Sequence, residues 1–572
     1  MQLYCESLTQ YKRLKTREVK IGNLLLGNGH PIRVQTMTTT DTMDTMATVE
    51  QTIRCIEAGA ELVRITAPSK KEAENLQNIK DELRKRGYDT PLVADIHFTP
   101  NAAEIAARII EKVRVNPGNY VDKKKFEQIE YTDEEYAEEI ERIRERFTPL
   151  VLICKEHGTA MRIGTNHGSL SDRIMSRYGD TANGMVESAM EFLRIARSED
   201  YHNIILSMKS SNPQVMVQAY RLLINHMMDE FGECYPLHLG VTEAGDGEDG
   251  RIKSAIGIGT LLEDGIGDTI RVSLTEDPEF EIPVCKDLVK RYMAIEQKPT
   301  ANVLQIDKLP YSPFEYKRRE TFAVSNIGDK HVPVVIADFS KYEKITPEDL
   351  QAIGYTYDAA TDKWNIGDAA ADYIFCNVHL DFDLPGTLKV LLFHELWQAA
   401  KDKEKYIPLF DAPQYLEENV EKSSSLNFVM IDHAWDDYHA APGKKLLELL
   451  EKDTTAVICF SSPNKNAMQN VRSMFIDLVN KGIKNPAIII CDSSDNTTDE
   501  SLIHYSAETG ALLLDGFCDG VCFGHHYGKK DVLPQTKLLN SIAFGILQAT
   551  RTRISKTEYI SCPSCGRTLF DL

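Results

Sequence analysis

"PLVADIHFTPNAAEIAARIIEKVRVNPGN" (residues 91–119) holds the fold in miniature. Two short β-rich runs, "PLVADI" (91–96) and "KVRVN" (112–116), flank "NAAEIAARIIEK", whose apolar positions recur at helical spacing. A strand, a helix and a second strand in so short a stretch form a βα unit, the connection parallel strands require. The texture repeats on both sides of it. "IRVQTM" (32–37) and "AELVRIT" (60–66) precede it; "TAMRIG" (159–164), "NIILSMK" (203–209), "YPLHLGV" (235–241) and "DTIRVSL" (268–274) follow. Eight strands in about 270 residues predict a (β/α)8 barrel. An open doubly wound sheet is the alternative, but no Gly-rich fingerprint follows the first strand.

Further along, "EQKPTANVLQIDKLPYSPFEYKRRE" carries three prolines and little periodicity, which reads as a linker over 296–330. A second α/β series then runs through "VPVVIADF", "DYIFCNV", "LKVLLFHE", "NFVMIDHA", "TAVICF", "PAIIICDSS", "ALLLDG" and "GVCFG". The fold class is therefore α/β throughout. A barrel is expected over 1–295, a second barrel-like domain over 331–545, and the start of a further α+β segment over 546–572. The charged run 122–146 reads as a solvated helix with i,i+4 charge pairs.

The 572 residues carry a formal net charge of −21, with 42% apolar and 26% charged residues. That balance argues against nucleic acid or an anionic membrane as a partner, because such surfaces are normally basic. No apolar run approaches the roughly 20 residues of a membrane span. The N-terminus lacks the apolar core of a signal peptide, so a cytoplasmic location is expected.

In a (β/α)8 barrel the strand C-termini build the site. Here those ends carry Gln35, Arg64, Asp95, Arg114 with Asn116, Arg162 with Asn166, Lys209, Glu243, and Arg271 with Ser273. Four arginines and a lysine on one face of so acidic a protein repel one another unless an anion joins them. Arginine's planar fork suits bidentate phosphate binding. A small ligand with several negative charges, such as a diphosphate, is expected. The bland alternative has each Arg capping a helix or pairing with its own carboxylate. "NPGN" (116–119) and "GTNHGS" (164–169) add backbone N–H groups close to such an anion. Glu243, Asp95 and His97 are candidates either for acid–base chemistry or for holding the arginines.

Twelve cysteines in so long a chain make no disulfide scaffold. Most lie in apolar runs and read as buried thiols. Two close pairs stand apart. Cys518 and Cys522 in "FCDGVCFGHH" would suit zinc, but lie on or beside an apolar strand. Cys562 and Cys565 in "CPSC" have the spacing of a zinc ribbon or an iron–sulfur edge, with no second pair after them.

Together, "VQTM", "ELVRITAPS", "PLVADIHF", "VRVNPGN", "MRIGTNHGSL", "SMKSSN", "PLHLGVTEAG", "KSAIGIGTLLEDGIGDTIRVSL" and "CPSC" resemble the 4-hydroxy-3-methylbut-2-enyl diphosphate synthase family. The order is kept over 32–274 and resumes at 562–565, and the intervening region looks like the large insert of the three-domain form in its bacterial version. The resemblance implies the substrate 2-C-methyl-D-erythritol 2,4-cyclodiphosphate, a [4Fe–4S] cluster and reduced flavodoxin or ferredoxin as donor, with a homodimer possible. By motif match, Arg64, Arg114, Asn116, Arg162, Asn166, Lys209, Arg271 and Ser273 would hold the diphosphate. Glu243 would be a polar or proton-handling residue near the reacting carbons, and Cys562 and Cys565 would be the first two cluster ligands. The family's third Cys and its Glu ligand have no counterpart in the sequence, so a fragment with impaired cluster binding is expected, or a degenerate paralogue. A redox-free phosphate barrel with a structural zinc at the CxxC is the rival enzyme reading. A binding or regulatory protein using the insert as its surface is the non-enzymatic one. The insert itself is expected to be architectural.

Overall fold

The computed structural model of the chain describes residues 4–121, 130–293, 306, 309–435, 437–525 and 532–558. These fall into two compact units, one mainly Lys12–Ala294 and the other mainly Ile295–Glu558. No helix among the described residues is long and apolar enough to cross a membrane.

In the first unit a hairpin of β1 (Val19–Ile21) and β2 (Leu24–Leu26) precedes eight parallel strands. These are β3 (Arg33–Met37), β4 (Leu62–Thr66), β5 (Leu92–Asp95), β6 (Lys112–Val115), β7 (Ala160–Asn166), β8 (Ile204–Lys209), β9 (His238–Leu239) and β10 (Thr269–Ile270). Their order is β8-β7-β6-β5-β4-β3-β10-β9, and a parallel bridge between Leu206 and Leu237 returns the ring to β8. This is the barrel expected from the repeat around residues 91–119. β9 and β10 are shorter than their sequence runs suggest, although Arg271 N–H still donates to the Leu239 carbonyl beyond them.

The hairpin, absent from the strands expected above, turns on Gly22-Asn23, and it explains the barrel floor. Val19, Ile21 and Leu26 pack against Leu62, Val93, Ala160 and Ile205, the lowest inward side chains of β4, β5, β7 and β8. One end is thereby sealed with apolar contacts, leaving the polar chemistry to the other end. The helix expected over 122–146 begins instead at Asp133 and runs to His157; residues 122–129 lie outside the described set. It starts with a capping box between Thr132 and Glu135, and it is not wholly solvated, because Tyr136, Ile143 and Phe147 are buried.

The second unit is a closed parallel barrel of β11 (Val334–Asp338), β14 (Tyr373–Phe375), β15 (Lys389–Phe393), β16 (Tyr406–Asp411), β17 (Asn427–Asp432), β18 (Ala456–Ser461), β19 (Ala487–Ser493) and β20 (Gly520–His525). A small hairpin, β12 (Tyr355–Asp358) and β13 (Lys363–Ile366), is inserted after β11. Two sequence expectations need correction. "ALLLDG" is no strand; its leucines close the helix Thr498–Leu514, whose far longer pattern contains them. The strand that completes the ring is "YIPLFD", hidden because Pro408 sits inside it, paired opposite Leu392.

Candidate active site

Alternation along the strands decides which side chains share the interior of the first barrel. On β6 it selects Lys112 and Arg114, on β7 Ala160, Arg162 and Gly164, and on β8 Ile205, Ser207 and Lys209. Above the apolar floor the interior is therefore charged. Arg64, Lys112, Arg114, Arg162, Lys209 and Arg271 are each at most 6% exposed, and among the described residues only Asp95 and Glu281 accompany them as buried carboxylates in this network.

The contacts form a connected set. Arg114 Nη1 donates to Asp95 Oδ1 at 2.9 Å, and Arg64 Nε lies 3.5 Å from Asp95 Oδ2. Arg64 Nε also donates to Met37 Sδ at 2.9 Å, and Arg271 Nη1 reaches the same sulfur at 4.0 Å. Arg271 is held by Glu281 through Nε and Nη2 at 3.2 and 3.1 Å. Lys112 Nζ donates to Gln35 Oε1 at 3.1 Å. Arg162 donates to Ser207 Oγ at 3.4 Å, while its Nε and Nη2 are buried without a partner. Among the described residues, neither Arg162, Lys112 nor Lys209 has a carboxylate at ion-pair distance. The arginines are not each tied to an acid of their own.

Two glycines make room for these groups. A Cβ at Gly164 would sit 2.7 Å from Arg114 Nε, and one at Gly240 would sit 2.8 Å from Lys209 Nζ. Small residues on the inward face thus give long cationic side chains space to reach the axis.

Burial and mutual repulsion set the electrostatics. Burial, then Arg64 and Arg162, drive Lys209 well below the usual ammonium range. Burial, then Arg162 and Arg64, do the same to Lys112. His238 is pushed down by burial, then by Arg162 and Lys209. Even Arg162 is lowered, by burial first and then by Arg64 and Arg114. Asp95 runs the other way: burial works to raise it, but Arg64 and Arg114 together hold its carboxyl well below the ordinary range. A site in which burial and repulsion disfavour the charged forms of its own bases is preorganised for an anion.

The remaining sequence candidates are placed around this mouth with different freedom. Asn116 is engaged, donating to Ser169 Oγ at 2.7 Å and accepting from Gly118 N–H, so it organises the "NPGN" loop. Asn166 ends β7 with its Oδ1 buried and unpartnered. Ser273 is buried just past β10. Glu243 is exposed in the loop after β9, with φ at +52°, a left-handed conformation that a glutamate adopts at a cost. His97 Nε2 lies 4.0 Å from Asp95 Oδ2.

Three participants escaped the sequence reading. Lys112 and His238 sit one layer below the strand ends. The period-two relation of Lys112 to Arg114, and of His238 to Gly240, is the signal that locates them. Glu281 comes from the helix Pro278–Met293, and nothing in its local sequence marks it as the partner of Arg271.

No cluster site emerges among the described residues. Their ten cysteines are all buried. Cys518 and Cys522 do not converge on a metal: Cys522 lines the core of the second barrel, while Cys518 lies beside Asp519 and Arg319, and burial pushes both thiols up. Cys562 and Cys565 lie outside the described residues. A group formed by Cys491, His504 and Glu508 offers one thiolate, whereas iron–sulfur clusters are held mainly by several, so it does not fit a [4Fe–4S] cluster.

Known proteins supply the remaining comparison. The profile of the GcpE TIM-barrel domain matches residues 16–286. A protein of Phocaeicola vulgatus named 4-hydroxy-3-methylbut-2-en-1-yl diphosphate synthase (flavodoxin) is 46% identical over 567 residues, covering 99% of this chain and 86% of its own length. Its namesake in Parabacteroides distasonis is 47% identical over 98% of this chain and 86% of its own. The chloroplastic, ferredoxin-named protein of Arabidopsis thaliana is 43% identical, covering 100% of this chain and 78% of its own.

Proposed function

Since the chain belongs to the GcpE family of 4-hydroxy-3-methylbut-2-en-1-yl diphosphate synthases, we propose that the charged mouth of its first barrel is the seat of that family's reaction. The reaction is the reductive ring opening and dehydration of 2-C-methyl-D-erythritol 2,4-cyclodiphosphate to 4-hydroxy-3-methylbut-2-enyl diphosphate. Two electrons and two protons enter, the bond from the ring carbon to the diphosphate oxygen breaks, and one oxygen leaves as water.

Arg64, Arg114, Arg162, Lys209 and Arg271 hold the diphosphate, with Asn116, Asn166 and Ser273 at its edge. Their buried charge binds the substrate and the product alike, keeping the reacting carbons in place while the ring opens. Lys112 and His238 lie below them, where burial and the arginines disfavour their charged forms. Asp95 and Glu281 aim Arg114 and Arg271 rather than neutralise the whole set. Glu243, on its strained loop, gives up the proton that turns the departing hydroxyl into water. Cys562 and Cys565 would be two ligands of the family's [4Fe–4S] cluster, which when bound would supply electrons drawn from reduced flavodoxin or ferredoxin.

One observation carries this reading: fully buried Arg162 keeps two guanidinium nitrogens unpartnered in a chamber with more buried cations than carboxylates. Calorimetric titration of the cyclodiphosphate into the full chain tests it without needing turnover. Arg162→Met is expected to weaken binding about 10- to 150-fold, the loss of one charged hydrogen-bonding group. Exposed Arg142→Ala should change nothing. Equal affinity in wild type and Arg162→Met would remove the ligand from this chamber.

A further inference from the structure

On β19, Ile488 and Ile490 face the apolar interior of the second barrel, so alternation turns Cys491 outward onto the covering helix Thr498–Leu514. That helix presents His504 and Glu508, one turn apart on the same face. Instead of an apolar seam, three side chains with ligand atoms converge there. The Cys491 Sγ, a His504 nitrogen and a Glu508 carboxylate oxygen all lie within 4.8 Å of one another. Cys491 is 4% exposed and Glu508 5%.

The hydrogen bonds define the orientation. Cys491 Sγ donates to Glu508 Oε2 at 3.2 Å, and His504 Nε2 stands 3.1 Å from Glu508 Oε1. On its other side, His504 Nδ1 lies 2.7 Å from Asp495 Oδ2, which also accepts from Ser493 Oγ. An imidazole backed by a carboxylate on Nδ1 is fixed with Nε2 directed at the remaining donors, the usual outer arrangement around a metal-bound histidine. Sulfur and Nε2 each face one of the two Glu508 oxygens. A divalent cation among them meets the same three atoms, displacing the thiol proton and binding Nε2 of a neutral imidazole whose Nδ1–H donates to Asp495.

We propose that Cys491, His504 and Glu508 form a zinc(II) site in the second barrel, with Asp495 as the residue that positions His504. One thiolate, one imidazole and one carboxylate are a zinc set, and three protein ligands leave a fourth position for water. The ion ties the covering helix to β19. It is separate from the family's iron–sulfur chemistry, which one thiolate does not support.

The test uses the full chain carrying Cys562→Ser and Cys565→Ser, freed of metal, with Zn2+ or Co2+ alone as the probe. One equivalent of Co2+ is expected to bind and give thiolate-to-cobalt charge-transfer absorption. The zinc-loaded chain should give a zinc-edge X-ray spectrum with one sulfur and otherwise nitrogen or oxygen neighbours. Cys491→Ser should abolish the absorption, and Glu508→Gln and His504→Gln should weaken binding at least tenfold. Asp495→Asn should weaken it by about 10- to 100-fold. Circular dichroism checks each variant's fold; where a variant unfolds, the X-ray spectrum of the parent chain decides. Absorption that survives Cys491→Ser, a spectrum with no sulfur or with several, or a folded parent that binds no metal would each overturn the proposal.

Discussion

Two barrels of the same strand number occupy one chain, and they fill their interiors in opposite ways. In the first, an apolar floor gives way upward to Lys112, Arg114, Arg162 and Lys209. In the second, the inward positions stay apolar through Val334, Ile336, Leu391, Leu409, Phe428, Val457, Cys459 and Ile488. At its strand ends stand Asp338, Asp411, Asp432 and Asp492. Architecture is therefore silent about function here, and the inward residue type near the strand ends carries it. The first barrel gives up core stability for a preorganised charge, while the second keeps it.

The largest test of that contrast is a cavity in the second barrel. Phe428 is fully buried and packs edge-to-face against Tyr373 at 5.6 Å. Phe428→Ala should cost about 3–5 kcal/mol in a urea melt. A cost below about 1 kcal/mol would mean this interior is not close-packed. The next test has the opposite sign. Arg162→Met removes a buried, partly unpartnered charge and should raise the stability of the ligand-free first barrel by about 1–4 kcal/mol. Destabilisation by that substitution would mean the charged chamber is a structural network rather than a binding device.

A third prediction concerns pH. In the fold Lys209 is held well below its ordinary range, by burial first and by Arg64 next. Between that depressed value and the unfolded value of about 10.4, the unfolded chain binds the extra proton, so Lys209 makes stability rise with pH. Lys209→Met removes this slope. Its stabilising effect should be greatest at low pH and fade as pH approaches about 10.4. A difference between variant and wild type that stays constant from neutral pH to that limit would place Lys209 in contact with solvent. Bound diphosphate should reverse the shift, so ligand binding in this range takes up protons and weakens as pH rises.

Much of this was legible in the sequence where local pattern and tertiary role coincide. The βα texture of 91–119 locates the barrel, because strands buried on both faces and amphipathic helices have distinct periods. Arg64, Arg114, Lys209 and Arg271 were visible because they lie at or near strand ends, and Arg162 because the run "TAMRIG" put it near one, although β7 continues to Asn166. Lys112 was not, since a lysine deep inside a barrel contradicts the usual expectation for that residue. Glu281 and the β1–β2 floor depend on contacts far apart in sequence, which no periodicity encodes. "YIPLFD" was lost to one proline and "ALLLDG" gained from three leucines, both cases in which the tertiary frame outweighs local preference.

The smallest expected effect lies on the outside, where the two barrels should behave alike. Each has an i,i+4 ion pair at its surface, Lys70–Glu74 at 3.6 Å in the first and Asp477–Lys481, whose lysine is exposed, at 2.5 Å in the second. Solvent screens both, so Lys70→Ala and Lys481→Ala should each cost no more than about 0.5 kcal/mol. A finer order is expected within that limit. Asp477 precedes its lysine, the orientation the helix dipole favours, and is only 13% exposed; in the other pair the lysine comes first and both partners are over half exposed. Lys481→Ala should therefore cost more than Lys70→Ala, and raising the salt concentration should shrink both costs. A cost above about 1 kcal/mol for either would place part of the contrast between the barrels on their surfaces, and the argument that it resides in their interiors would fail.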